Sequence, residues 1–98
     1  MTTVDGITED ARLIILRELS QQVDGRSNDV VLMRVLDAYG VRRSRDWLRT
    51  QLHRLVELEA VKVTVLASVT VVILRKAGRD HVERRGVLEG VARPSEDD

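Results

Sequence analysis

The 98-residue chain contains no cysteine, and Tyr39 and Trp47 are its only aromatic residues. The absence of cysteine excludes disulfides, thiol chemistry and cysteine metal sites. Because aromatic residues are so few, aliphatic side chains must provide nearly all of the hydrophobic packing. A chain of this length can bury roughly 60 to 70% of its unfolded surface, which is enough for one hydrophobic core.

The chain also lacks a net charge and a long apolar run. A net charge of zero argues against a generic polyanion binder. No apolar run reaches the roughly 18 residues of a membrane span, and the first ten residues lack the basic and apolar regions of a signal peptide. We therefore expect a cytoplasmic protein without a membrane partner.

Residues 44–74 organise the rest of the chain, because an amphipathic segment leads there directly into two valine-rich runs. Ser44 can cap a helix through its hydroxyl oxygen. Leu48, Leu52 and Leu55 recur at helical spacing and form one apolar stripe. This pattern predicts a helix over about residues 44–59, with mostly polar groups on its outer face.

After Ala60 the apolar period changes from about 3.6 to 2, as expected of a half-buried strand. A second alternating run follows, so the two predict a β-hairpin. Its turn is expected at Ala67 and Ser68, although this pair lacks the Asn-Gly or Gly-X sequence favoured by tight hairpins.

The amino-terminal segment predicts a first helix that is capped by Thr8 or Asp5 and ends near Gln22. Its apolar residues spread around much of the helix, which is typical of a helix buried on more than one side. In so short a chain the second covering surface could be another subunit, with Leu13 and Leu16 as interface candidates.

A second helix is predicted from a cap at Ser27 or Asn28 to Tyr39, with Gly40 in the left-handed position after its end. Two helices joined by a short turn that contains glycine form a helix-turn-helix. With a helix in front and a hairpin behind, the sequence predicts a mainly α fold with a small β-hairpin, an α+β winged helix-turn-helix.

Positive charge is concentrated at and after the third predicted helix. Residues 42–54 carry a net charge of +4 and residues 75–85 carry +3, whereas residues 1–29 carry −3. If the fold brings the two positive segments onto one face, they form a basic patch for double-stranded DNA; arginines that merely solvate a helix are the alternative. The DNA-binding candidates are Arg42, Arg43, Ser44, Arg45, Arg49, Thr50, His53, Arg54 and Lys76.

The order of elements and the segment LRKAGRDHVERRG resemble the bacterial MarR- and ArsR-type winged-helix regulators. In those families the second wing strand leads through a Leu-Thr-x-x-Gly step into a final helix. Leu74 and Gly78 match this step, whereas Arg75 replaces the threonine.

The segments EDARLIILREL, SRDWLRTQLHRLVELEAV and GVLEGVARP resemble a family of small winged-helix proteins from Mu-like transposable phages and prophages. This resemblance covers roughly residues 9–94. It implies a phage or prophage origin and a DNA-binding fold, and it supplies no catalytic or ligand site.

The carboxyl-terminal sequence predicts a short fourth helix over about residues 79–85, with Gly86 as its stop. We expect a winged-helix domain at residues 1–86 and a partly disordered tail at residues 87–98. Within the tail, Val87, Leu88 and Val91 are candidates for contact with a neighbouring subunit.

The predicted hairpin tip is uncharged, whereas a wing that grips DNA normally carries Arg or Lys there. Its apolar residues Leu66 and Val69 are expected to be covered by a partner.

The sequence leaves two functions open. The first is a homodimeric DNA-binding transcriptional regulator with the third helix in the major groove. The alternative is a protein-protein interaction adaptor that contacts a phage or host protein in phage assembly or host takeover.

Catalytic and metal functions find no support in the sequence. His53 and His81 are the only imidazoles, and neither has a cysteine partner or an acidic pair at ligand spacing, so both are expected on the surface. No glycine-rich phosphate loop or nucleophile-base arrangement is present. We therefore expect no enzyme activity, no metal and no cofactor.

Overall fold

The computed structural model describes residues 5–95, which form four helices and a three-stranded antiparallel sheet. The predicted α+β class is thereby confirmed. In chain order the elements are α1 (Asp5–Ser20), β1 (Arg26–Asn28), α2 (Asp29–Ala38), α3 (Arg45–Glu57), β2 (Val61–Leu66), β3 (Val69–Leu74) and α4 (Lys76–Val82).

The hairpin forms where the alternating valines predict it. Leu66 pairs with Val69 across the turn at Ala67 and Ser68, and Ala67 takes a left-handed φ of 55°. The sheet order is β1-β3-β2, so the other edge of β3 is occupied by β1. The sequence did not predict β1, because three mostly polar residues give no alternating pattern of their own.

Side-chain caps begin the second and third helices. The Asn28 side chain accepts a hydrogen bond of 3.0 Å from the Val31 N–H, and the Ser44 hydroxyl accepts one of 3.0 Å from the Trp47 N–H. Both caps were predicted, Asn28 as one of two alternatives. For α1, Thr8 lies inside the helix rather than at its cap. The side chain of Asp5 lies outside the described part of the chain.

Gly40 ends α2 as its sequence position predicts. Its φ is +86°, a left-handed conformation that costs glycine nothing. The Gly40 N–H donates to the Asp37 carbonyl and the Val41 N–H donates to the Leu36 carbonyl, each over 2.9 Å. These two bonds satisfy carbonyls that the helix end would otherwise leave unpaired.

The apolar residues around α1 are covered by the chain itself, because α2, α3, α4 and β3 all pack against this helix. Leu16 is completely buried and Leu13 retains only 8% of its exposure. These two residues therefore belong to the core and offer no surface to a second subunit, contrary to the sequence-based interpretation. The buried core also includes Ile15, Leu19, Leu32, Leu36, Leu48, Leu52, Leu55, Val61 and Val72.

Glycine is required at position 78 by a close approach between α4 and the corner that joins α3 to β2. A Cβ atom at Gly78 would lie 2.5 Å from the Ala60 carbonyl oxygen and 2.8 Å from Leu74 Cδ1. The carbonyl is also fixed, since it accepts a hydrogen bond of 2.9 Å from the Arg75 N–H. The Leu-x-x-x-Gly pattern of the sequence thus has a packing role here.

The fourth helix begins and ends earlier than predicted, and Gly86 lies beyond its end rather than at its stop. Residues 87–95 then fold back onto the domain. Val91 is buried with 5% exposure, and the Ala92 N–H donates to the Glu9 carbonyl over 3.1 Å. These residues therefore belong to the folded domain, whereas the predicted tail separated them from it at residue 86. Residues 96–98 lie outside the described residues.

His81 holds this returning segment and is buried, which corrects its predicted surface position. Its Nδ1 accepts a hydrogen bond of 3.0 Å from the Leu88 N–H, and its Nε2 lies 2.8 Å from the Ala92 carbonyl oxygen. Because Nδ1 accepts, Nε2 must carry the proton and donate. A neutral imidazole therefore bridges two backbone positions of the carboxyl-terminal segment.

Candidate nucleic-acid interface

The outer face of α3 displays polar side chains that the core does not need. Leu48, Leu52 and Leu55 are buried beneath the helix, whereas Arg49 and His53 are exposed. Thr50 is also exposed, and its hydroxyl donates to the Asp46 carbonyl of its own helix over 3.1 Å. The helix therefore presents groups able to form hydrogen bonds with a partner.

The charges on this face balance one another. Arg49 lies 4.0 Å from Asp46, while His53 and Arg54 lie 3.5 and 3.3 Å from Glu57. Exposed ion pairs of this kind contribute about 0 to 1 kcal/mol and exchange readily. The two arginines remain available to an anionic partner, but the face has no excess of positive charge.

Two further arginines stand in the connection before α3. Arg42 pairs with Asp37 over 3.0 Å, with both side chains largely exposed. The Arg43 guanidinium lies 5.7 Å from the centre of the Trp47 ring. Trp47 is half-buried against the core, as expected, so Arg43 is held beside the start of α3. Ser44 uses its hydroxyl oxygen to cap the same helix.

Arg45 has a structural role that the sequence did not predict, and its side chain remains 43% exposed. Its Nε and Nη2 donate to Asp29 Oδ2 over 3.0 and 2.8 Å, and Nη2 also donates to the Ser68 carbonyl over 2.8 Å. The other oxygen of Asp29 accepts from the Thr70 N–H over 3.2 Å. This four-residue cluster, which we call the hairpin clamp, joins α2, α3 and the hairpin.

Asp29 is completely buried, yet it stays ionised within the hairpin clamp. Burial by itself acts to raise its pKa. The hydrogen bond from Arg45, the bond from the Thr70 N–H and the positive charge of Arg45 together outweigh burial and lower the pKa below its usual value of 3.8. The position of Asp29 in the first turn of α2 also suits a negative charge.

Lys76 does not share a cleft with the basic side chains of α3. It pairs with Asp80 over 2.8 Å and lines a separate depression with Glu59 and Arg75. Arg42 and Arg43 line a third depression beside Arg34. The expected single basic patch is therefore divided into smaller groups in the structure.

An apolar groove runs between α3 and the hairpin. Val63 and Val65 of β2 face Leu52 and Val56 of α3 across it, and Arg49 stands among its lining residues. Val65 is 69% exposed, and within residues 5–95 no strand pairs with the outer edge of β2. This groove and the open edge together offer apolar surface next to α3.

The other interface candidates differ in their exposure. Leu66 at the hairpin tip and Val87 are largely exposed, whereas Val69 is half-buried. Leu88 packs against the core of its own chain. Leu66 and Val87 therefore have the most surface for a partner.

Three buried polar residues were missed by the sequence interpretation: Asp29, Gln51 and His81. Gln51 lies on the inner face of α3, where its Oε1 accepts from Arg12 Nε over 2.9 Å. The sequence did contain a signal for Gln51, because it is a polar residue next to the apolar stripe of α3. Asp29 and His81 find their partners through tertiary contacts that no local pattern indicates.

Neither a metal cluster nor a membrane span is found in the part of the chain that the structure describes. No three His, Asp or Glu side chains of residues 5–95 come together as ligands for a metal ion. None of the helices in these residues combines the length and apolar character needed to cross a bilayer.

These features define a small α+β domain that presents one helix beside an apolar hairpin. The chain is 42% identical over 90 residues to the uncharacterized protein gp26 of Escherichia phage Mu, an alignment that covers 92% of this chain and 93% of the phage protein. The chain therefore belongs to the same family as this phage Mu protein, which confirms the resemblance to proteins of Mu-like phages. No family model and no solved structure matches the chain.

Proposed function

We propose that this protein is a winged-helix DNA-binding protein, a transcriptional regulator of phage or prophage origin that inserts α3 into the major groove of duplex DNA. Such a role would place it in the bacterial cytoplasm. The proposal rests on the order of the elements, on the outer face of α3 and on the cations that precede this helix.

The topology supports this proposal. A winged helix places one helix and a short strand before a helix-turn-helix and then adds a hairpin whose second strand pairs with the first strand. The order α1-β1-α2-α3-β2-β3, with β3 in the middle of the sheet, supports a winged-helix assignment. Under this proposal α3 is the recognition helix.

The outer face of α3 is the observation that carries the proposal. Arg49, Thr50 and His53 project from it and have no function in the core. Arginine can form two hydrogen bonds with guanine, and threonine can bond to several base edges. Arg42 and Arg43 stand before the helix, where phosphate contacts would position it. We further propose a homodimer that reads two half-sites about one helical turn apart.

Duplex binding can be measured by fluorescence anisotropy over a series of salt concentrations. We expect affinity at low salt, with a logarithmic slope of about −0.9 for each phosphate contacted. Arg43→Ala should make this slope shallower by about 1, and Arg49→Ala should weaken binding to a specific site by about 1 to 3 kcal/mol. Arg26→Ala, which removes an exposed arginine from β1, is the matched control.

Absence of duplex binding at low salt would overturn the DNA-binding proposal. The same conclusion would follow if the Arg43 and Arg49 variants bound like the Arg26 control, because nonspecific attraction would then be sufficient.

The apolar groove favours a second candidate, the interaction adaptor. A groove lined by valines and a leucine next to an open strand edge can accept an apolar segment of a protein partner.

Val65→Asp should abolish capture of such a partner from infected or induced cells, while Arg49→Ala leaves capture intact. If the Val65 variant binds duplex DNA normally but loses a partner, both surfaces are used. Equal capture by the Val65 variant and the parent would remove the adaptor role.

A further inference from the structure

A cleft between the end of α4 and the returning segment is lined by Arg84, Arg85 and Arg93, and among residues 5–95 no acidic residue lines it. His81, Val87 and Pro94 also line the cleft, which has a volume of about 420 Å³. Arg49 and Lys76 do not line this cleft.

The three arginines differ in the hydrogen bonds and ion pairs that their side chains form. The Arg84 side chain donates to the Ser95 carbonyl over 3.1 Å, and Arg85 pairs with Glu83 over 3.3 Å while remaining 73% exposed. Arg93 is exposed and has no hydrogen bond or ion pair within residues 5–95. The five N–H donors of the Arg93 guanidinium are therefore available at the cleft.

The backbone at Arg84 helps to build the cleft. Its φ is +63°, a left-handed conformation that favours glycine. This residue ends α4, because the Arg84 and Arg85 N–H groups donate to the His81 and Asp80 carbonyls. His81 then holds the returning segment, so that Arg93 lines the same cleft as Arg84 and Arg85.

We propose that this arginine cleft binds a phosphate group. Several guanidinium groups that line one cleft can hold phosphate oxygens through charge-assisted hydrogen bonds, and Val87 and Pro94 offer apolar contact to the carbon part of a phosphate ester. The phosphate has two chemical sources, a free mononucleotide or the backbone of a nucleic acid. The site is independent of the proposed role of α3, since the mononucleotide test requires no duplex.

The test follows the backbone amide resonances of residues 84–93 during titration with inorganic phosphate, adenosine monophosphate or a short DNA duplex. The full chain is used in each titration. Shifts caused by phosphate and the mononucleotide would assign a free ligand. Shifts caused by the duplex alone would assign the nucleic-acid backbone.

Arg85→Gln and Arg93→Gln should each weaken the binding of the active probe roughly tenfold. Arg26→Gln removes the same charge at β1 and should leave the titration unchanged. Within residues 5–95 the Arg85 side chain pairs only with neighbouring Glu83 and the Arg93 side chain makes no hydrogen bond or ion pair, so both variants should keep the parent unfolding temperature. The proposal is overturned if no probe shifts these resonances, or if both cleft variants bind like the parent.

Discussion

Replacement of Asp29 by alanine is expected to lower the free energy of unfolding by about 2 to 4 kcal/mol. The substitution removes a buried carboxylate that receives hydrogen bonds from Arg45 and from the Thr70 N–H. It leaves the partly exposed Arg45 guanidinium without its counter-charge, and it leaves the Thr70 N–H without its acceptor. The loss should therefore exceed that of an ordinary surface ion pair.

Asp37→Ala is the control for this prediction, because Asp37 lies on the same helix and also pairs with an arginine. Its side chain is 60% exposed and that of Arg42 is 80% exposed, so we expect a loss below about 1 kcal/mol. Urea denaturation measures both variants. Hydrogen exchange at Thr70 should accelerate in the Asp29 variant alone. Similar losses of unfolding free energy in both variants would show that the hairpin clamp contributes no more stability than an exposed ion pair.

The same carboxylate predicts a dependence of stability on pH. The folded pKa of Asp29 is lowered, so its contribution is complete above the unfolded value of about 3.9 and is lost as the pH falls through the folded pKa. The parent protein should therefore lose stability below about pH 4. At neutral pH the Asp29→Asn variant should be less stable than the parent. As the pH falls through the same acid range, the variant should lose less stability than the parent.

Replacement of His81 by alanine is the second substitution with a large expected effect, about 2 to 4 kcal/mol of unfolding free energy. His81 is 1% exposed and bridges the Leu88 N–H and the Ala92 carbonyl. Alanine would leave a cavity and two backbone groups without partners. The segment 87–95 should then separate from α1 and α4 and become sensitive to trypsin at Arg84 and Arg85.

His53→Ala provides the comparison within the same chain, because the His53 side chain is 75% exposed and makes only a surface contact with Glu57. We expect its unfolding free energy to change by less than about 0.5 kcal/mol. Limited proteolysis and urea denaturation distinguish the two histidines. If the His81 variant resembled the His53 variant, the returning segment would not depend on the imidazole bridge.

Much of the secondary structure could be predicted because its causes are local. Ser44 and Asn28 cap their helices through hydrogen bonds that span three residues, and Gly40 ends α2 through its own conformation. The valine alternation located both strands of the hairpin and its turn. The strand β1 could not be found in this way, since it exists only because β3 offers an unpaired edge.

The candidate site was predicted less completely than the elements that carry it. Helical period alone placed Arg49 and His53 outward on α3. The same reasoning grouped Arg45 with them, because a long side chain at a helix start can turn toward solvent or inward. The Arg45 side chain turns toward Asp29, which lies 16 residues earlier and is a buried carboxylate that needs a counter-charge.

By itself, the sequence determined the caps, the two apolar periods and therefore the order of most helices and strands. Tertiary structure alone decided that Leu13 and Leu16 are covered within the chain, that Arg45 supports the hairpin and that residues 87–95 return under His81. The physical reason is separation along the chain. Caps and periodicity act over a few residues, whereas burial and buried charge pairs depend on partners that only the folded chain brings together.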